Sequence, residues 1–476
     1  MQLHWHRDDL RAADNHALAS AAAQVDASGP VVPAFVFDDA VLAHGSSNRV
    51  AFMLDALDAL QTWYRERGSD LVVRHGDPRE VLPSLATDLD AERVWWNEGY
   101  SGLARERDAA VQRALDAVDV DHESVGDALH HEPGSITTND GDPYSVYTYF
   151  WRKWRDRPKA DPYDAPDADA LADAGALATD APGDLPTLSD LGFDEPEATI
   201  QRAGTDRARD RLTSFCESTI YDYADRRDYP ADECTSRLSA DLRWGTIGVR
   251  EVYEETAAAA DMADSEADRE SVVEFQGQLA WREFYHHVLY FDPGVVAANY
   301  RSYPNPIRWR DDPEELRAWK AGETGYPIVD AGMRQLREEG FVHNRVRMLV
   351  ASFLTKDLLV DWREGYAHFR EHLVDHDTAN DNGGWQWAAS TGTDAQPYFR
   401  IFNPMTQGER YDPDAEYIGR HVPELRGVDP SLIHGWHEAS DAEREQAAPD
   451  YPAPIVDHAE RRELALSTFE AARGDG

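Results

Sequence analysis

Short, continuously apolar runs alternate with amphipathic stretches over the first 125 positions, and after that the short runs stop. The segments "VVPAFVFDD" (31–39), "DLVVRHGD" (70–77) and "AERVWWNEGY" (91–100) predict buried strands. "RVAFMLDALDALQTWYRERG" (49–68) and "ARERDAAVQRALDAV" (104–118) carry the three- and four-residue spacing of helices. Strands alternating with helices require crossover connections, which predicts a parallel sheet in an α/β domain. No GxGxxG follows the first strand, so a nicotinamide dinucleotide site is not indicated.

From about position 206 the strand signals vanish. "ESVVEFQGQLAWREFYHHVLYF" (270–291), "YPIVDAGMRQLREEG" (326–340) and "HNRVRMLVASFLTKDLLVDWREGYAHFREHLVD" (343–375) predict helices, with a stop at Gly340 and long loops after 376. Between the halves, residues 156–205 are rich in Ala, Asp and Pro and almost free of aromatics. That composition predicts a long linker draped over the surface and partly mobile. The expected organisation is an α/β domain over 1–125, a connecting region over 126–205 and an all-α domain over 206–476.

Composition narrows the setting. The net charge is −43, carried with 43 Arg and only four Lys among 476 residues, which suggests a surface adapted to molar salt. At about 1 M salt the Debye length is only about 3 Å, so a polyanionic partner is compatible with this charge if its site is locally Arg-rich. Two cysteines, Cys216 and Cys234, form neither a disulfide framework nor a zinc motif, and a reducing cytoplasm fits. No stretch approaches a membrane span and the N-terminus lacks an apolar export core. The 14 Trp are more flat aromatic surface than a core normally requires, a hint of a planar ligand.

Four polar constellations stand out in the helical half. Thr235, Ser236 and Ser239 cluster before a helix, where they either bind a phosphate or simply cap the helix. Gln278, Trp281 and Arg282 crowd one side of their helix. Asn344, Arg347 and Met348 share a face; buried without partners, such polar groups cost about 1–3 kcal/mol each, so a ligand edge or an internal network must satisfy them. In "DHDTANDNGGWQWAASTGTDAQPYFRIFNP" (375–404), Asp375, Asp377 and Asp381 offer acceptors, and Gly383 and Gly384 leave room for something flat. The spacing is not that of a calcium loop, and no metal site is expected.

Together with "WHRDDLRAADNHAL", "TSRLS", "GYPIVDAGMRQL", "HNRVRM", "DWREG" and "TQGERYD", these segments resemble the photolyase/cryptochrome family, most nearly its class I cyclobutane pyrimidine dimer branch, here of haloarchaeal type. The resemblance covers nearly the whole chain outside 156–205. It implies FAD held in the helical domain, with Tyr223 and the run Thr235, Ser236, Arg237, Leu238 and Ser239 at the phosphates. Arg282, Arg347, Asp375, Asp377 and Asp381 would contact the rest of the cofactor. Asn344 would face the adenine and the lesion, and Gln278, Trp281, Met348 and Trp387 would receive a flipped-out pyrimidine dimer. Arg227, Arg345 and Gln407 would contact UV-damaged DNA. Trp385, Trp362 and Trp309 match the family's electron-transfer chain. The family's N-terminal domain holds an antenna pigment, and "NRVAFM" with Arg49 is similar to binders of 8-hydroxy-5-deazaflavin rather than of methenyltetrahydrofolate, although Gly99 stands where an acidic ligand is expected.

The implied activity is light-driven DNA repair. The dimer leaves the duplex, as photolyases require, and photoexcited reduced FAD lends it an electron that splits the cyclobutane bonds. Asn344 in "HNRVRM" stands where the (6-4) branch carries a second His, which favours cyclobutane dimers. Two departures point instead to a cryptochrome-like blue-light receptor: Gln278 in place of the usual Glu, and Asp381 in place of the Asn beside flavin N5. A carboxylic acid there can protonate a photoreduced flavin. The remaining expectations are a monomer, with no obligate protein partner.

Overall fold

Five strands form one parallel sheet: β1 (Gln2–His6), β2 (Val31–Phe37), β3 (Val72–His75), β4 (Arg93–Asn97) and β5 (Asp121–Val125). Their spatial order is β3-β2-β1-β4-β5, so the first strand lies at the centre, with Leu3 opposite both Val32 and Val94. The computed structural model describes residues 1–175, 177 and 184–474. Leu3, Trp5, Val32, Ala34, Val94 and Trp96 pack on one face against the helices Pro78–Asp88 and Gly102–Asp116. Val31, Phe35, Phe37 and Trp95 meet the helix Ser47–Arg65 on the other. Burial on both faces explains why β2 reads as an unbroken apolar run. Strand β5, "DHESV", lies at the edge with no fully buried residue, and so carries no apolar signal.

The connecting region is less superficial than its composition implies. Leu171 bridges to Val31, Ala172 and Leu177 enter one sheet core, and Ala203 enters the other. Its scattered Ala and Leu are the buried points of an otherwise irregular, polar segment. The expected mobility at residues 176 and 178–183 falls outside the described residues. Earlier in this region the helix Tyr147–Asp156 packs Phe150 and Trp154 into a core shared with the long helix Glu266–Phe291.

The second half is helical, and two expectations are corrected there. The run 343–375 is not continuous: Asn344–Ser352 leads into a π-helical turn, Phe353–Asp357, before the helix Trp362–His372 begins. Leu359 takes φ +55 in the break, a conformation unfavourable for a branched residue that no helical periodicity reveals. Beyond 376 the chain forms helices rather than long loops, notably Thr378–Ala388, Pro404–Tyr411 and His458–Arg473.

A buried charge network joins the halves. Arg250 Nε lies 2.5 Å from Asp14, Arg11 lies 2.6 Å from Asp127, and Arg250 also bonds Asp127. Breaking one partner of such a network leaves an uncompensated buried charge, at about 3–5 kcal/mol.

Candidate functional site

Three helices build the floor. Thr378–Ala388 packs against both Glu266–Phe291 and Asn344–Ser352. Its start is set by Asp377, whose carboxylate caps it by accepting the Asn380 amide at 2.8 Å. Asn382 and Gln386 are turned inward, donating to Val295 O at 3.1 and 2.9 Å, so these two carboxamides anchor the helix. Gly383 admits the ring of Tyr285, which a Cβ would approach to 2.1 Å, whereas a Cβ at Gly384 would meet nothing within 4 Å. Of the two glycines, only Gly384 faces open space.

The acidic residues converge with cations. Arg347 donates to Asp375 at 2.7 and 3.0 Å and to Val342 O at 2.8 Å. Its Nη1 lies 3.6 Å from Asp381, whose other oxygen lies 2.6 Å from His376 Nδ1. Burial weakens the Arg347 cation, but the Asp375 and Asp381 carboxylates more than restore it and hold its pKa above the ordinary value. Burial opposes ionisation of Asp377 as well, yet His286 at 3.3 Å and the charges of Arg243 and Arg282 keep it well below the usual carboxylate range. Arg282 spends donors on Ala128 O at 2.6 Å and Leu242 O at 3.1 Å.

The hydroxyl loop precedes the short helix Ser239–Trp244 without capping it: no side chain caps that helix. Ser236 Oγ accepts the Leu238 amide at 3.4 Å, while the Thr235 and Ser239 hydroxyls bond no protein group among the described residues. The capping alternative is thereby removed. Arg237 adopts φ +54, pairs with Glu339 at 3.0 Å and lies over Phe341; Leu238 is buried. Tyr223 is buried and opens a turn packed on Glu266–Phe291.

On the rim, Asn344 is exposed and its side chain bonds nothing among the described residues, so no internal network claims it. Trp281, Trp387, Met348, Gln278 and Gln407 are each half-buried. Arg227 reaches Glu274 at 2.5 Å and Gln278 at 3.3 Å. Arg345 bonds Asp228 at 2.5 Å and lies over Tyr411. Of the indoles named as a relay, Trp385 and Trp362 are buried and Trp309 is half-exposed, all in or against one apolar cluster.

A cleft open to solvent separates the strand ends from the helical half. Arg7, Asp9, Glu98 and Arg107 line one side, and Arg243, Arg282 and Asp377 the other. Arg49 is not in this lining. Its guanidinium donates to Arg370 O, Leu373 O and His44 O, joining the two halves. A Cβ at Gly99 would lie 2.6 Å from Ala104, and its acidic neighbour Glu98 lines the cleft.

Two residues were overlooked in the sequence. His376 sat inside a motif read for its carboxylates. Tyr147, in the connecting region, stacks on Trp281 with centroids 3.7 Å apart and planes 9° from parallel. The sequence signal for it was the aromatic density of "YTYFWRKW".

Comparison with known proteins places these features in context. Residues 2–168 match the family model described as DNA photolyase, and residues 275–471 match that of the FAD binding domain of DNA photolyase. The deoxyribodipyrimidine photo-lyase of Halobacterium salinarum is 64% identical over 482 aligned residues, covering all of both chains. A bacterial class III photolyase from Agrobacterium tumefaciens superposes with a TM-score of 0.89 at 36% identity, over 99% of this chain and 98% of that one. An archaeal photolyase from Sulfolobus tokodaii, solved with two FAD molecules, gives 0.83 at 32%, over 99% of each.

Proposed function

The chain belongs to the DNA photolyase family, and from that premise we propose that it splits cyclobutane pyrimidine dimers in UV-damaged DNA using light and bound FAD. The observation that supports the reading is the set of polar groups the helical half leaves available: the Thr235 and Ser239 hydroxyls without a protein partner among the described residues, the Arg347–Asp375 pair, open space at Gly384, two half-buried indoles and an exposed Asn344. This donor set fits the cofactor: hydroxyls for phosphate, paired charges for a polar ring edge, and room for a flat body.

In this reading Tyr223 and residues 235–239 hold the FAD phosphates, with Arg282, Arg347, Asp375, Asp377 and Asp381 toward the rest of the molecule. FAD supplies the light-driven electron. Trp281, Met348 and Trp387 offer faces to the extruded dimer, a damaged step being cheap to unstack, while Gln278 and Asn344 meet its polar edges. Arg227, Arg345 and Gln407 lie toward the DNA. Trp385, Trp362 and Trp309 carry electrons inward from solvent. The division at about 125 and 206 belongs to the same reading.

The antenna is read as 8-hydroxy-5-deazaflavin in the charged cleft, with methenyltetrahydrofolate or a second FAD as the outcomes an absorption spectrum would reveal instead. Arg49 then acts on the pigment only indirectly, by fixing the two halves. Among the described residues no helix is long and apolar enough to cross a membrane; a cytoplasmic monomer without an obligate partner completes the proposal, and sedimentation tests the monomer.

The deciding experiment illuminates the purified protein with a dimer-containing oligonucleotide in molar salt and scores restored thymines. Restoration supports repair. A photoreducible flavin without restoration would sink this reading in favour of a light receptor.

A further inference from the structure

The central strand β1 carries imidazoles at two positions that point to the same face, His4 and His6. Both are fully buried, and Asp9, 4% exposed, comes back against them. Among the described residues, Asp9 is a buried carboxylate without a guanidinium partner. Its donors are the Arg7 amide at 2.5 Å, Asn15 Nδ2 at 3.0 Å and Asn97 Nδ2 at 2.5 Å, all neutral. The nearby guanidinium groups are committed elsewhere: Arg7 to Asp108, Arg11 to Asp127, Arg250 to Asp14 and Asp127. Buried charges are ordinarily paired or bound to metal, since a bare one is very costly. His4 compounds the problem, for neither of its ring nitrogens has a hydrogen-bond partner among the described residues.

The spacing suggests what is missing. His4 Nε2 and His6 Nδ1 lie 3.6 and 3.8 Å from Asp9 Oδ2. These separations are too long for good hydrogen bonds to the carboxylate; His6 Nδ1 also lies 3.1 Å from the Asp9 carbonyl oxygen, a contact that an ion bound there replaces. Both distances to Asp9 Oδ2 are close to the ~3.3–3.6 Å between ligand atoms around a tetrahedral ion with bonds of about 2.0–2.2 Å. The supporting contacts that metal ligands usually have are also present: His6 Nε2 lies 2.8 Å from the Tyr64 hydroxyl, and Asn15 and Asn97 orient the Asp9 carboxylate. Asp9 borders the interdomain cleft, on the side from which an ion would enter, and the fully buried His4 and His6 lie behind it.

We propose that His4, His6 and Asp9 form a structural site for a divalent transition metal, zinc by its ligand chemistry, beneath the floor of the cleft. The ion supplies the cation that Asp9 lacks and ties the first strand to the turn that follows it. The sequence carries no motif for this site: the cysteines and the acidic run 375–381 lack metal-ligand spacing, and alternate positions of a core strand leave no such signature.

The test uses untagged, FAD-loaded protein in molar salt. After dialysis against a chelator, Co²⁺ is titrated in and its visible absorption followed, and zinc content is measured on protein as purified. The expected result is one ion per chain, with His4→Val and Asp9→Asn each weakening binding by more than about 100-fold while flavin absorbance is retained. His368→Ala, in the half-exposed cluster His368, Glu371 and His372, should leave that ion in place. A folded wild-type protein that gives no Co²⁺ bands and holds no stoichiometric metal overturns the proposal. So does binding unchanged in both His4→Val and Asp9→Asn.

Discussion

His376 Nδ1 lies 2.6 Å from Asp381 Oδ2, while Arg347 Nη1 lies 3.6 Å from Asp381 Oδ1. The carboxylate is thus held between an imidazole and a guanidinium. Asp381 occupies the position where the family resemblance places an amide beside the flavin. An amide cannot pass on a proton; a carboxyl bonded to an imidazole can, with His376 as the group that resupplies it. Asp381→Asn should slow or abolish proton uptake by the photoreduced flavin, and His376→Ala should slow it in part. Transient absorption after a light pulse reads both, and unchanged kinetics in Asp381→Asn would remove the idea.

Tyr147 supports Trp281 from a segment far away in sequence. Its ring stacks at 3.7 Å, its amide donates to Asp394 at 3.2 Å and its hydroxyl donates to Gly277 O at 2.6 Å. A stacked pair is worth about 0.5–1.5 kcal/mol beyond burial, roughly two- to tenfold in an equilibrium. Tyr147→Ala should weaken binding of dimer-containing DNA by that factor without changing flavin content, and Tyr147→Phe, which keeps the ring, should bind nearly as wild type. Equal affinity for all three proteins, measured by anisotropy in red light, would reduce Tyr147 to a packing residue.

Trp309 is the half-exposed end of the three indoles, and it packs edge-on to Phe469. Trp309→Phe should lower photoreduction of oxidised flavin by an external donor at least tenfold. Repair by protein reduced chemically beforehand should be unaffected, because that step needs no electron from solvent. Equal photoreduction in the two proteins would place the outlet elsewhere.

How much of this was legible in sequence depended on the kind of signal. The apolar runs at 31–39, 70–77 and 91–100 became β2, β3 and β4 within a few residues; burial on both sheet faces leaves β2 an unbroken hydrophobic trace, and the edge strand β3 keeps its signal through the buried Val72 and Val73. Strand β5 left none, being an exposed edge. The motif residues Arg347, Asp375 and Asp381 do come together. Arg49 donates to the carbonyls of Arg370, Leu373 and His44, and a sequence cannot say which of several carbonyls a long guanidinium will find. The contacts of His376 and Tyr147 escaped for the same reason: each is made by tertiary packing, and neither leaves a periodicity.

Glu283 gives the protein a predictable pH dependence. It is fully buried, accepts the His130 amide at 2.6 Å, and burial pushes it from 4.5 up to about 7, only partly offset by its hydrogen bonds and by Arg282 and Lys159. Between those values the folded chain keeps a proton that the unfolded chain releases, so stability falls as pH rises from 4.5 through 7. The loss is about 3 kcal/mol in all. Glu283→Gln keeps an acceptor for the His130 amide and lacks the titration. Its stability relative to wild type should therefore rise across that window in melts at constant salt; parallel pH profiles would show that Glu283 is ionised throughout.

The adjacent glycines Gly383 and Gly384 should respond oppositely to the same substitution. A Cβ at Gly383 would lie 2.1–2.6 Å from three atoms of the Tyr285 ring, and Tyr285 in turn leans on Trp281. Gly383→Ala must therefore displace an aromatic in a packed region, at about 1–3 kcal/mol, and it should disturb dimer binding through Trp281. A Cβ at Gly384 meets nothing, and its backbone is ordinary helix, so Gly384→Ala should stabilise the flavin-free protein by about 0.5–1 kcal/mol through helix propensity alone. Gly384 follows Asp381 by three residues and so shares its helical face, the one turned toward the space assigned to the flavin. The same methyl group that stabilises the apoprotein should then lower flavin affinity, read as faster FAD loss on dilution. A Gly384→Ala protein that is more stable and holds FAD as tightly as wild type would mean that the flavin does not lie against this face.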